Sequence, residues 1–161
     1  ADGLHPAPPV PAQDADVVLT CVGNDEDVAE ITLGSSGVLA AMRSDALLVD
    51  HTTTSADMAR SLAEACAARR IGFIDAPVSG GEAGAVAGQL AIMCGGDAGD
   101  VARAEPIMQA YAKVIVHVGP AGAGQAAKMV NQMCIAGVLA GLAEAVRLAE
   151  AAGLDLDKTY R

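Results

Sequence analysis

The sequence is nearly devoid of aromatic residues. Among 161 residues there is no tryptophan, one phenylalanine (Phe73) and two tyrosines. A core must therefore be built from Ala, Val, Leu, Ile and Met, which a hydrophobic content of 52% supplies. Basic residues are also few. Ten Lys and Arg stand against twenty Asp and Glu, a formal net charge of −10. That balance argues against nucleic acid and against an anionic membrane as partners. No uninterrupted apolar run reaches the ~20 residues of a membrane span. Residues 1–15, with the proline-rich PAPPVP, hold no apolar signal core, and no secretory leader is expected. The four cysteines (Cys21, Cys66, Cys94, Cys134) are far apart, with no CxxC and no Cys/His cluster. They are expected to be core thiols in a reducing, cytoplasmic compartment, and no metal site is expected.

What is present alternates. Residues 1–14 read as loop. Ala15 to Val22 is a continuous β-branched apolar run, the pattern of a buried parallel strand. Asp25, Glu26 and Asp27 open a helix, where negative charge suits the macrodipole. A short helix near Val38, a strand over 46–50, a helix over 56–69 and a strand over 71–75 follow. A glycine-rich loop over 80–88 leads to a strand over 90–94, a helix from about Asp100 to Tyr111 and a strand over 114–118. Thr54 or Ser55 in HTTTS can cap the helix that begins at Ala56. Strand and helix in alternation predict a doubly wound parallel α/β sheet.

Two motifs carry chemistry. In FIDAPVSGG, Phe73 to Gly81, a strand runs into Pro77 and then Ser79-Gly80-Gly81. A hydroxyl and unobstructed backbone amides just beyond a strand end suit a carboxylate or other anion. Downstream, GAGQ at Gly122 opens a long apolar helix whose stop is Gly153. Gln125, Lys128, Asn131 and Gln132 share one face of it, which is either a solvent edge or part of a site. Gly122-Ala123-Gly124-Gln125-Ala126-Ala127 also fits G-x-G-x-x-A. A dinucleotide fingerprint needs a second strand with an acidic end ~20 residues on, and here the helix continues; close packing of the helix start is the better reading.

DAPVSGG followed by GxGxxxKxxNQ resembles the β-hydroxyacid dehydrogenase family, which includes 3-hydroxyisobutyrate dehydrogenase, tartronate semialdehyde reductase and the 6-phosphogluconate dehydrogenases. The resemblance implies the second half of a Rossmann-type NAD(P)-binding domain over 1–120. Over 121–161 it implies the long interdomain helix that starts an all-helical domain. It implies NAD or NADP as cofactor, a small carboxylate-bearing substrate and a homo-oligomer. Lys128 is then the proton donor and acceptor, with Asn131 and Gln132 holding the substrate oxygen and Ser79, Gly80 and Gly81 its carboxylate. Val22 and Gly23 stand where the family has a cofactor-touching Leu-Pro pair. Thr53, of the pair Thr52-Thr53, stands near the nicotinamide. His51 as a general acid is the weaker reading, because the family gives the proton work to lysine. The decarboxylating phosphogluconate branch has histidine at the position of Asn131, so a semialdehyde reductase type is favoured. The family's first strand, GxGxxG turn and cofactor-selecting residue have no counterpart here, so an internal fragment, inactive by itself, is expected. A non-catalytic dimerising piece, a small-anion binder and a 6-phosphogluconate dehydrogenase-like enzyme remain the alternatives.

Overall fold

A computed structural model describes residues 12–160; the loop expected over 1–14 falls mostly outside them. The chain divides into two compact units, residues up to 128 and residues 129–161.

The first unit is a sheet with helices on both faces. Its elements are β1 (Val17–Thr20), α1 (Asp25–Leu33), α2 (Val38–Ala41), β2 (Leu47–Asp50), α3 (Ala56–Ala67), β3 (Gly72–Asp75), β4 (Val78–Ser79), α4 (Gly81–Val86), β5 (Leu90–Gly96), α5 (Ala98–Met108) and β6 (Ala112–Gly119). Helix α6 (Ala123–Ala151) begins in this unit and runs on into the second. The helix starts form where side chains meet the first free amides. Asn24, Ser55 and Asp97 each accept a backbone N–H of the helix that follows.

The sheet order is β1-β2-β3-β5-β4, with β6 paired to β5. Side chains alternate between its faces. Leu48 and Phe73 pack with Val28, Leu39, Ala59, Leu62 and Cys66 of the helices on one side. Leu47, Val49, Ile74 and Ile92 pack with Val101, Ala104 and Met108 of α5 on the other.

The α/β class and its Rossmann-type strand–helix order are as expected, and the sheet is mixed in one place. β1–β2, β2–β3 and β5–β6 are parallel, whereas β5 runs antiparallel to β3 and β4. The cause is the link between β4 and β5. Residues 80–89 are fewer than the dozen or so a parallel crossover needs, so the chain turns back. Within that link, expected to be loop, six residues form α4. β3 and β4 are two pieces of one line along β5, broken at Ala76-Pro77: Asp75 pairs with Gly95 and Val78 with Ile92. Pro77 has no N–H to give a ladder.

The cysteine expectation holds for two of four. Cys66 and Cys94 are buried, and burial pushes their thiols up to about 12 and about 11. Cys21 and Cys134 are exposed, because Cys21 follows the last β1 residue and Cys134 lies on α6.

In the second unit α6 continues to Ala151 and stops where expected. Gly153 is left-handed (φ 69°), and Leu154 N–H bonds back to Ala149 O. Asp155 then caps α7 (Leu156–Thr159). Met133, Val138 and Leu148 are each about 70% exposed (75%, 69% and 72%). With a mean hydropathy of 1.5 over 18 residues, α6 is long and apolar enough to cross a membrane by length and composition. Counting uninterrupted runs misses this, since Asn131 and Gln132 break the run while the average over 18 residues still reaches 1.5.

Leu62 is fully buried between α3 and the sheet. Leu62→Ala is expected to cost about 2–5 kcal/mol in urea unfolding; a loss below ~1 kcal/mol would contradict this packing.

Candidate functional site

The carboxyl ends of β1 and β2 lie side by side, and a buried carboxylate ties them. Asp50 Oδ1 accepts from Thr20 Oγ1 (2.9 Å), Thr52 N (3.1 Å) and Thr52 Oγ1 (2.7 Å). Thr52 Oγ1 in turn accepts the Val22 N–H at 3.0 Å. Thr52 is thus consumed inside the fold, whereas Thr53 and Gly23 are exposed at the strand ends. Ser55 caps α3, and Asp25 accepts from its N–H and hydroxyl. The Thr54 hydroxyl is buried without a partner.

The start of α6 is held by a second buried carboxylate. Asp75, fully buried at the end of β3, accepts Gly122 N–H at 2.8 Å through Oδ1 and Gln125 N–H at 2.9 Å through Oδ2. Burial pushes its carboxyl above the usual range, and the amides of Gly122, Gln125 and Gly124 pull the other way. Gly124 is required here: a Cβ would lie 2.6 Å from the Asp75 carbonyl oxygen. Helix-start amides that already serve a carboxylate are not open to a phosphate, so the G-x-G-x-x-A stretch is a packing device, as expected.

Helical phase alone leaves Gln125 on either a solvent edge or a site; in the fold it is fully buried. Its Oε1 accepts Thr54 N–H at 3.0 Å and its Nε2 donates to Thr52 O at 2.7 Å. It therefore staples the segment after β2 to the start of α6. One turn on, half-buried Lys128 donates from Nζ to Val78 O at 2.8 Å. This brings Lys128 to the residue beside Ser79. Gly80 and Gly81 follow, exposed and with φ of 132° and 60°, angles that side-chain-bearing residues rarely adopt. Asn131 and Gln132 belong to the second unit, where Asn131 Nδ2 donates to Gln132 Oε1 at 3.3 Å.

His51 is half-buried and fully engaged. Nδ1 lies 2.7 Å from Ala76 O and Nε2 lies 2.8 Å from the Tyr111 hydroxyl. Desolvation lowers its pKa; the Ala76 bond and the Asp50 charge raise it by less.

A surface groove of 360 Å³ lined by Gly72, Phe73, Asp97, Asp100 and Pro120 includes none of these side chains.

Residues 4–119 match the model of the NAD-binding domain of 6-phosphogluconate dehydrogenase. Residues 122–161 match the model described as the NAD-binding domain of NADP-dependent 3-hydroxyisobutyrate dehydrogenase. The chain belongs to the β-hydroxyacid dehydrogenase family. An uncharacterized oxidoreductase of Shewanella frigidimarina (strain NCIMB 400) is 51% identical over 144 residues, 89% of this chain and 50% of its own length. A 3-hydroxyisobutyrate dehydrogenase of Pseudomonas aeruginosa is 42% identical over 88% of this chain and 47% of its own. A solved 3-hydroxyisobutyrate dehydrogenase of Mycobacterium tuberculosis, described with L-serine, gives a TM-score of 0.87 at 40% identity, covering 94% of this chain and 51% of that one. The chain spans about half the length of the curated relatives it matches.

Thr53 and the Val22-Gly23 backbone lie at the carboxyl ends of two adjacent parallel strands, where open α/β sheets take their ligands. Asp75 lies within the FIDAPVSGG motif, yet sequence reasoning gives it no role. Its signal is a carboxylate closing an apolar strand directly before Ala-Pro.

The lowered pKa of His51 sets a stability window. The depressed folded value means its contribution is present above the unfolded pKa of about 6.5 and is lost as pH falls through the folded value. The stability advantage of the wild type over His51→Asn is expected to shrink between about pH 8 and pH 5 in parallel denaturant titrations. A constant difference would show that the ring titrates normally.

Proposed function

We propose that the protein carrying this chain is an NAD(P)-dependent dehydrogenase that interconverts a small 3-hydroxy acid and its semialdehyde. The observation that carries this reading is the Lys128 Nζ bond to Val78 O, which sets an amine beside Ser79-Gly80-Gly81 at the carboxyl end of a Rossmann-type sheet. When bound, NAD(P) takes up or delivers the hydride. Lys128 takes the hydroxyl proton in oxidation and returns it to the carbonyl oxygen in reduction. Ser79 and the Gly80 and Gly81 backbone hold the substrate carboxylate. The motif gives Asn131 and Gln132 the substrate oxygen, and Thr53, Val22 and Gly23 the nicotinamide end of the cofactor.

The substrate is read as 3-hydroxyisobutyrate or a tartronate semialdehyde type. The relatives' 3-hydroxyisobutyrate name and the L-serine of the solved relative support a carboxylate with a hydroxyl on the β carbon. Asn131, in place of the phosphogluconate branch's histidine, supports it further. The same reading places the protein in the cytoplasm and makes it a homo-oligomer that uses the apolar side of α6. Sedimentation of the full-length protein is expected to give a dimer or higher state; a monomer at micromolar concentration would overturn that part.

Two substitutions separate the roles. Lys128→Ala is expected to lower kcat by about a thousandfold or more while the NAD(P)H dissociation constant stays unchanged. Ser79→Ala is expected to raise KM for the hydroxy acid more than it lowers kcat. Near wild-type turnover in the first, or an untouched KM in the second, would sink the corresponding assignment.

A further inference from the structure

We propose that His51 is a positioning residue for this reaction: with Tyr111 behind it, it fixes the backbone segment that sets Val78 and Ser79 against Lys128. The proposal rests on the dehydrogenase reading. Its geometry is independent of that reading.

Between β3 and β4 the ladder to β5 is interrupted at Ala76-Pro77. Pro77 has no N–H, so the segment is held mainly by its carbonyls. Three successive ones are each taken by a donor from a different element. His51, one residue past β2, takes Ala76 O at 2.7 Å. Met93 N of β5 takes Pro77 O at 3.2 Å. Lys128 Nζ of α6 takes Val78 O at 2.8 Å. Ala76 N–H itself donates to Asp50 O at 2.7 Å. Without the His51 bond, Ala76 keeps its amide bond to β2 and its carbonyl is released.

The tautomer follows from the partners. A carbonyl oxygen only accepts, so Nδ1 carries the proton, and Nε2 accepts from the Tyr111 O–H at 2.8 Å. The two rings meet edge to face, with centroids 5.6 Å apart at 90°. Tyr111 is anchored in turn, since its carbonyl accepts the Leu90 N–H at the start of β5 (3.2 Å). Both ring nitrogens are therefore committed within the fold. Neither is left to pass a proton to substrate, which excludes the general-acid role and leaves geometry as what the residue contributes. Displacing the segment moves the acceptor of Lys128 and the carboxylate-binding serine together.

The test uses the full-length enzyme with His51→Asn, His51→Leu and Tyr111→Phe. Asn places an amide N–H near the position of Nδ1 and retains the Ala76 bond while losing the tyrosine. Leu loses both. His51→Leu is expected to lower kcat/KM by about tenfold to a hundredfold, and His51→Asn by no more than about threefold, with NAD(P)H affinity unchanged in each. Their melting temperatures are expected to fall alike. Should His51→Leu fail to fold, Tyr111→Phe loosens the ring without removing the donor, and a loss of about threefold is expected. In the wild type, ¹⁵N imidazole shifts are expected to report the Nδ1–H tautomer whether or not substrate is turned over. Equal kcat and KM in His51→Leu and His51→Asn would overturn the positioning role alone, as would wild-type kinetics in Tyr111→Phe. An Nε2–H tautomer would overturn the geometry. A wild type without NAD(P)-dependent turnover of any 3-hydroxy acid, but with the Nδ1–H tautomer, would overturn the functional reading and the positioning role with it.

Discussion

The arrangement around the candidate site depends on one buried carboxylate. Asp75 ends β3 and accepts the first amides of α6, joining the middle of the sheet to the helix that carries Lys128. Burying a carboxylate is costly unless donors surround it, and the free amides of a helix start are such donors. The exchange serves both partners: the helix gains a cap that its own sequence does not provide, and the carboxylate gains the amides of Gly122 and Gln125. Sterics then fix the neighbours. A Cβ at Gly95 would clash with Asp75 Oδ1, and one at Gly124 with the Asp75 backbone. Glycine at 124, which resembles part of a nucleotide fingerprint by spacing, is there because a carboxylate-bearing strand end approaches the helix.

Once that cap is set, the rest of the geometry follows along the helix. Gln125 lies in the first turn of α6 and reaches the backbone after β2 through both ends of its amide. Lys128 lies almost one turn further and reaches the backbone after β3. Residues three apart point the same way, so one helix face binds two successive strand ends. This explains why a fully buried glutamine stands next to an ionisable side chain. The first meets the backbone through both an acceptor and a donor, and the second through a single donor at the end of a longer chain.

Much of this was legible in the sequence, and the omissions share a cause. β-branched runs and caps located the strands and helices, because both depend on neighbours in the chain. The Gly153 stop and the Ser55 cap were readable for the same reason. The reversal of β5 was not. It depends on a connection length judged against a partner strand that the sequence does not name. Asp75 and Gln125 were hidden differently: a polar residue gives no local sign of whether its partners are water or amides about fifty to seventy positions away. Thr52 and Thr53 show the limit clearly. They are identical residues one apart, and only the Asp50 and Val22 contacts separate the one built into the fold from the one left exposed.

The apolar character of α6 invites a membrane reading, and the spacing of its charges argues against it. Lys128 and Glu144 bracket the stretch 129–143, which carries no charge. At 1.5 Å per residue that stretch is about 22 Å long, against a hydrocarbon core of about 30 Å. Asn131 and Gln132 would fall inside it, and their single mutual bond leaves the remaining amide groups costly in lipid. Beyond it, Glu144 and Arg147 approach to 3.5 Å on the helix surface, a pair suited to water. The helix thus has a short apolar centre, glycines at 137 and 141 and charges at both ends. A methyl group added at Gly137 or Gly141 would meet nothing within 4 Å, so neither glycine is explained by a contact among the described residues.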